Sequence, residues 1–303
     1  MWQSSPVASG KPSRWRSVYS DSRILVLDEP LAAMGAPHNY AQVLQVCDRV
    51  NLLQHGEITC DKASSETSIQ ELTDLVIAEY RAARPAPQRD DTELMTEPSS
   101  ALETTRRSWH AVGELVLAGP QHRRSGTIRL RVVPGGFATT REPALSVDTA
   151  DLVAGAARIG IDGRTCAELA AATGLDVGPP LGLYQDGSPI PEHDVLTVDT
   201  AAAAVLADAF DTGDAALRQF APTEMPVLWP EHFDVAIRVD EVDYGVSLGD
   251  SYVDEPYAYI GPWQATMGEF WNAPFGAART LRELADVDTV VAFFAKGQRL
   301  AHG

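Results

Sequence analysis

Trp229-Pro230-Glu231-His232-Phe233-Asp234 runs on into Val235-Ala236-Ile237-Arg238-Val239-Asp240. After it come Tyr244-Gly245-Val246-Ser247-Leu248-Gly249-Asp250, Glu255-Pro256-Tyr257-Ala258-Tyr259 and Gly261-Pro262-Trp263. Val235, Ile237 and Val239 alternate with Asp234, Arg238 and Asp240. That period of two is the pattern of a strand with one face in a core. We therefore read Leu228 to Trp263 as the centre of one complete domain.

Working outward, Thr127 to Val132 alternates in the same way, with Ile128, Leu130 and Val132 inward. Pro134-Gly135-Gly136 is a turn into a return strand, Phe137 to Thr140. Val112 to Ala118 reads as another strand. Short strands are expected near Leu152 and Ile159, with a turn at Asp162-Gly163. Thr165 caps a helix through Ala172, ended by Gly174. A Gly- and Pro-rich loop spans 178–191. Asp199 or Thr200 starts an Ala-rich helix to Phe210, and Asp214 to Phe220 continues it after a break at Gly213. A last helix covers Val287 to Leu300. Strands and helices are grouped rather than strictly alternating, so the fold class is α+β, with a mixed, mainly antiparallel sheet. No internal repeat is visible.

Several residues in the central stretch carry candidate chemistry. Gly245 to Gly249 matches Gly-x-Ser-x-Gly, which makes Ser247 a candidate nucleophile. However, the only His downstream is His302, and a helix is not expected after the turn. His232 and Asp234 share a face if the strand already runs there. With Asp250, and Glu255 nearby, they form a candidate divalent-metal set. Trp229, Tyr257, Tyr259 and Trp263, with Phe270, Trp271 and Phe275, line either a pocket or the core.

The chain has 303 residues, 45% hydrophobic and 22% charged, which suits a globular protein with a sizeable core. Its formal charge of -18 is unevenly placed. Residues 186–260 hold sixteen Asp and Glu against Arg218 and Arg238. Such a surface repels phosphate backbones, so nucleic acid is not an expected partner. No run approaches the roughly 18 apolar residues of a membrane span. Met1 to Trp15 lacks the apolar stretch of a signal peptide. Cys47, Cys60 and Cys166 fit neither a zinc site nor a redox pair. These features point to a cytoplasmic protein with reduced thiols.

The N-terminal part reads differently. Ile24-Leu25-Val26-Leu27 is a buried parallel strand that delivers Asp28 and Glu29 at its end. Leu31-Ala32-Ala33-Met34-Gly35 follows, then His38-Asn39-Tyr40, then Asp48-Arg49-Val50 and a Gly56 turn. This order resembles the C-terminal third of an ABC-transporter ATPase of the sugar-importer type. The resemblance implies that Asp28 is the Walker B aspartate, Glu29 the catalytic glutamate, Ala32 to Gly35 the D-loop and His38 the switch histidine. It also implies Mg-ATP as the family's ligand. The departures matter more. The sequence holds no Gly-x-x-x-x-Gly-Lys-Ser/Thr loop to cradle phosphates and no Leu-Ser-Gly-Gly-Gln signature. Nine residues separate Asp28 from His38, too few for the crossover to another parallel strand. The segment is expected to be a vestige that does not hydrolyse ATP.

Ser68 to Tyr80 reads as a capped amphipathic helix. The organisation is then a polar lead-in at 1–22, a truncated ABC-ATPase-like segment at 23–82, a Pro- and acid-rich linker at 83–105 and an α+β domain at 106–303. That domain resembles a bacterial family, common in actinobacteria, on Trp229-Pro230-x-His232-Phe233-Asp234, Gly245-x-Ser247-x-Gly249-Asp250, Glu255-Pro256-Tyr257-x-Tyr259 and Gly136-Phe137-x-Thr139-Thr140. The family has no assigned activity, so the resemblance implies a domain boundary and no mechanism. Two functions stay open for the domain. One is binding of a small molecule or protein partner, with no cofactor. The other is a metal-dependent enzyme using His232, Asp234 and Asp250.

Overall fold

A computed structural model of the chain describes residues 24–28, 49–54, 57–67, 98–184, 187–188, 190–264 and 266–302. They fall into two compact units. The first holds three strands, β1 (Ile24–Asp28), β2 (Arg49–Gln54) and β3 (Glu57–Ala63). β1 runs parallel to β2, in register from Ile24 with Arg49 to Asp28 with Leu53. β2 and β3 pair antiparallel, with an irregularity between Leu52 and Leu53. Glu29, the 32–35 segment, His38, the 68–80 helix, the lead-in and most of the linker lie outside the described residues.

The second unit is α+β, with a single antiparallel sheet of ten strands. A first meander consists of β4 (Leu130–Val133), β5 (Gly136–Thr139), β6 (Leu145–Asp148), β7 (Asp151–Ala154) and β8 (Ala157–Gly160). A second consists of β9 (Val227–Trp229), β10 (Asp234–Val239), β11 (Val242–Ser247), β12 (Tyr257–Pro262) and β13 (Ala277–Thr280). The two join edge to edge where Leu130 of β4 pairs with Leu228 of β9. The strand order, β13 to β9 and then β4 to β8, is a palindrome about that junction. Each meander is followed by a helix begun by a Thr-x-x-Glu capping box, Thr165 with Glu168 and Thr280 with Glu283. The repeat therefore lies in topology, where the residues show none.

Turn chemistry sets the register. Asp240 and Glu241, both at positive φ, link the Val239–Val242 pair of β10 and β11, the two-residue turn whose twist matches the strands. Gly135 has φ 82° in the β4–β5 turn, where Gly carries no Cβ penalty.

Helices pack on the sheet face where Val235, Ile237, Tyr244, Val246 and Ile260 are buried. They are α1 (Pro98–Ala111), α2 (Gly119–Ser125), α3 (Cys166–Ala172), α4 (Thr200–Phe220), α5 (Leu281–Leu284) and α6 (Val287–Ala301). α1 begins with Pro98 inside the stretch read as linker, and Thr105 and Ser108 are buried. Their hydroxyls accept the N–H groups of Asp199 and Thr197, each at 3.0 Å, and so fix the entry to α4. α1 thus runs across the boundary placed between residues 105 and 106.

Two expected elements are corrected. Val112 to Ala118 is not a strand but a π-helical turn joining α1 to α2, and all seven residues are buried. Its apolar run packs on every side, which periodicity cannot tell from a buried strand. Gly213 does not break α4. A Cβ there would lie 2.7 Å from Val246 Cβ and 2.9 Å from Val235 Cγ1, so α4 packs closely on the sheet at Gly213.

Candidate functional site

Asp234, Ser247, Tyr257 and Tyr259 of the central stretch lie on the sheet face opposite to Val235, Ile237, Tyr244 and Val246. β10 starts at Asp234, so His232 belongs to the turn from β9 to β10 and not to a strand shared with Asp234. Phe233 occupies the turn with φ 53°, a conformation unfavourable for a bulky side chain. Aromatic packing holds it there. Its ring meets Phe137 and Phe210 edge-on and stacks on His110 at 5.2 Å. Burial pushes the His110 imidazole down to about 4, against the pull of the Pro230 carbonyl; His232 and Arg106 lower it further. A neutral His110 donates from Nε2 to Pro230 O at 2.7 Å.

Asp234 is 7% exposed. Its Oδ2 accepts the Tyr259 hydroxyl, and its Oδ1 has no partner among the described residues. Burial raises its carboxyl above the ordinary range, opposed by His232 and the Tyr259 bond. β11 runs between the two residues, and the tyrosine reaches across Gly245. A Cβ on Gly245 would stand 2.6 Å from Tyr259 Cε1, Cζ and hydroxyl.

Asp250 closes the loop after β11. Its Oδ1 accepts the N–H groups of Tyr252 and Val253 at 2.7 and 2.9 Å, and its Oδ2 accepts Tyr257 Oη at 2.5 Å. The Ser247 hydroxyl accepts the Gly249 N–H at 3.1 Å. The chain continues as a bend where a nucleophile elbow would have a helix. Tyr257 and Tyr259 pack with Tyr252 and Phe275 into a small cluster over this sheet face. Of these four, Tyr257 is buried, and Tyr252, Tyr259 and Phe275 are half-buried.

The remaining candidates are separate from that cluster. Trp263 is 45% exposed, stacks under Arg238 at 4.6 Å and donates to Asp243 Oδ2 at 3.2 Å. Trp229 lies under Arg129 at 5.7 Å. His232 faces Glu231 at 3.9 Å. His232, Asp234 and Asp250 are each engaged by different neighbours. Among the described residues no three His, Cys, Asp or Glu side chains are grouped to hold a metal ion. In the first unit Asp28 ends β1, and nothing in the sequence supplies the loop that would hold a nucleotide's phosphates against it.

The structure also holds a site that the sequence reading missed. Glu114 sits within the π-turn, 2% exposed. The turn is marked by the Gly119 N–H bonding to Glu114 O, and such turns occur often at functional sites. The following loop is pinned across it. Gly178 donates to Leu115 O at 3.0 Å, and Arg123 reaches the carbonyls of Asp176 and Gly178. The Glu114 carboxylate accepts the Ser188 N–H. It lies so close to Gly187 that a Cβ there would be 2.0 Å from Oε1. Burial raises the Glu114 carboxyl above its ordinary range; the Ser188 N–H and Tyr184 act against this, and Glu231 adds to it. The Tyr184 hydroxyl is buried beside the carboxylate, without a well-formed hydrogen bond among the described residues. Burial and the Glu114 charge push its phenol up.

These groups border a cavity of about 210 Å³, whose remaining wall is Leu115, Pro179, Pro180, Leu181 and Gly182. One signal was available in the sequence, a lone Glu within the apolar run Val112-Gly113-Glu114-Leu115-Val116-Leu117-Ala118.

Comparison with protein-family models, with curated proteins and with solved structures returns no match for this chain.

Proposed function

We propose that the second unit is a binding module for a small organic molecule, and that the Glu114 cavity is where it binds. One observation carries this reading. A buried carboxylate and a buried phenol border the same cavity, with a single backbone N–H donated to the first and no well-formed bond to the second. An unsatisfied buried polar group costs about 1–3 kcal/mol, and a ligand supplies the missing partners. In the central stretch, Tyr257 and Tyr259 spend their hydroxyls on Asp250 and Asp234, and Asp250 also accepts backbone N–H groups, while Asp234 Oδ1 keeps no partner among the described residues.

A thermal-shift panel of small organic fragments tests this reading on the wild-type chain and on Leu181→Trp. Leu181 is 80% exposed at the cavity rim, so a larger side chain there obstructs the cavity without entering the core. Stabilising fragments whose effect disappears in Leu181→Trp are expected. Fragments that act equally on both forms place binding elsewhere.

For the first unit we infer a vestige of an ABC sugar-transporter ATP-binding subunit that does not hydrolyse ATP in this chain. Support comes from the parallel β1–β2 pair with Asp28 at its end, the β2–β3 hairpin, and the nine residues that leave no room for a further parallel strand before His38. The metal-enzyme alternative gains no support from the separate engagements of His232, Asp234 and Asp250. No described helix is long and apolar enough to cross a membrane. Cys60 and Cys166 are free thiols, which fits a reducing, cytoplasmic setting. The acidic 186–260 segment argues against nucleic acid as a partner.

A further inference from the structure

We propose that the sheet face opposite the helices docks a short acidic polypeptide segment, on a patch formed by Arg129, Arg131 and Arg141. The patch shares no lining residue with the Glu114 cavity and does not rest on it. Residues 121–141 hold five Arg and no Asp or Glu, in a chain where 42 acidic residues outnumber 24 Lys and Arg. Arg129 and Arg131 flank Leu130 at the start of β4. Leu130 is buried under the helices, so by alternation both arginines project from the opposite face, and both are exposed. One buried side chain fixes their backbone. Gln121 is fully buried, donates from Nε2 to the Arg129 carbonyl at 3.0 Å and accepts the Arg141 N–H at Oε1 at 2.7 Å. Arg141 is exposed as well.

Uncompensated charge carries the proposal. Strand pairing places Asp148, Asp151, Arg158, Arg238 and Asp243 on this same face. There Arg158 pairs with Asp148 and Asp151, and Arg238 pairs with Asp243. Arg129, Arg131 and Arg141 have no carboxylate partner among the described residues. Arg131 donates to the Thr139 carbonyl at 3.3 Å, and Arg129 lies over the Trp229 ring at 5.7 Å. Each therefore keeps donors for an anion from outside.

Three features select an acidic peptide. The guanidinium fork matches a carboxylate in two parallel bonds. Arg129 and Arg131 stand two residues apart, roughly 7 Å along the strand, which is the spacing of acidic side chains at alternate positions of an extended segment. Trp229 and Val227, both half-buried, lie beside them across the β4–β9 junction and offer apolar contact. Trp and Arg are the residue types that contribute most at protein interfaces. A long polyanion such as nucleic acid is repelled by the chain's net charge of -18 over most of its length, and a second copy brings the same charge with it. A short segment meets the patch alone.

Fluorescence anisotropy of the full chain at low salt, where surface charge is least screened, tests the proposal. The labelled probes are the peptide Ser-Glu-Val-Glu-Val-Ser, its counterpart Ser-Gln-Val-Gln-Val-Ser, and hexathymidylate. The Glu peptide is expected to bind wild type more tightly than either other probe. Combining Arg129→Gln with Arg131→Gln should weaken it by roughly three- to twentyfold, the effect of two exposed ion pairs, and leave the Gln peptide unchanged. Both side chains are exposed, so their loss spares the core. Arg141→Gln alone should weaken the Glu peptide by a smaller factor. Leu181→Trp, which obstructs the Glu114 cavity, should bind it as wild type does, so the two sites are read separately. Equal binding of the two peptides, or binding unchanged in the double variant, overturns the proposal. So does hexathymidylate binding as tightly as the Glu peptide. Sedimentation of the chain alone that shows a low-salt dimer, lost in the double variant, would assign the patch to a second copy and overturn it too.

Discussion

Tyr259 donates its hydroxyl to Asp234 across the intervening strand β11, and it does so over Gly245, the one position on that path without a side chain. The Gly-x-Ser-x-Gly stretch therefore has a structural reading. Gly245 clears the way for a phenol, Ser247 ties the turn through the Gly249 N–H, and Gly249 takes φ 109° as the chain leaves the sheet.

Gly245→Ala should destabilise the second unit by about 1–3 kcal/mol, the usual cost of overpacking a filled site. The added methyl meets the Tyr259 ring at 2.6 Å, and that ring is held within the Tyr257–Phe275 cluster. Urea unfolding of the variant measures it. An unchanged midpoint would show that the ring yields freely.

Gly213→Ala reverses an ordinary expectation. At an exposed helix interior the change gains about 1 kcal/mol of helix propensity. Here the methyl presses on Val246 and Val235, so a net loss is expected in the same unfolding measurement. A gain would mean that α4 does not pack as closely as described.

His110 sets the acid limb of stability. Its folded-state value is depressed to about 4 from an ordinary 6.5. The stability it contributes is present above the ordinary value and is lost as pH falls through the depressed one. His110→Gln retains a donor for the Pro230 carbonyl and cannot titrate. Its unfolding free energy should fall less steeply than wild type between about pH 6.5 and 4. Parallel curves would remove His110 from this role.

Asp234 acts in the opposite direction. Its carboxyl is raised, so its contribution is full below the ordinary carboxylate value and lost as pH rises through the raised one. Relative to wild type, Asp234→Asn should therefore gain stability as pH rises above about 4. A difference that stays constant across pH would show that the carboxyl does not titrate there.

The purified chain should show no magnesium-dependent ATPase activity. Activity that disappears in Glu29→Gln would overturn the vestigial reading of the first unit.

Local rules made much of the second unit legible. The alternation of Val235, Ile237 and Val239 marks β10 and its buried face, Asp199 caps α4, and the Thr165–Glu168 box starts α3. The illegible parts depend on distant partners. Val112 to Ala118 has the composition of a strand and becomes helical because neighbours cover it on every side. Gly213 looks like a helix breaker until the approach of Val235 and Val246 is seen. Of the candidate pocket residues, Tyr259 is engaged by Asp234 and Tyr257 by Asp250, pairings that join different strands and loops. The Glu114 cavity stayed hidden because its walls come from two segments far apart in the chain, joined where Ser188 donates to Glu114.

Whether that cavity binds a ligand is tested most directly by following backbone amide resonances as a stabilising fragment from the thermal-shift panel is added to the full chain. The account predicts saturable shifts at Ser188, Gly187 and Leu115, with the amides of Tyr259 and Trp263 unmoved. Shifts centred on Tyr259 and Trp263, with Ser188 unchanged, would contradict it.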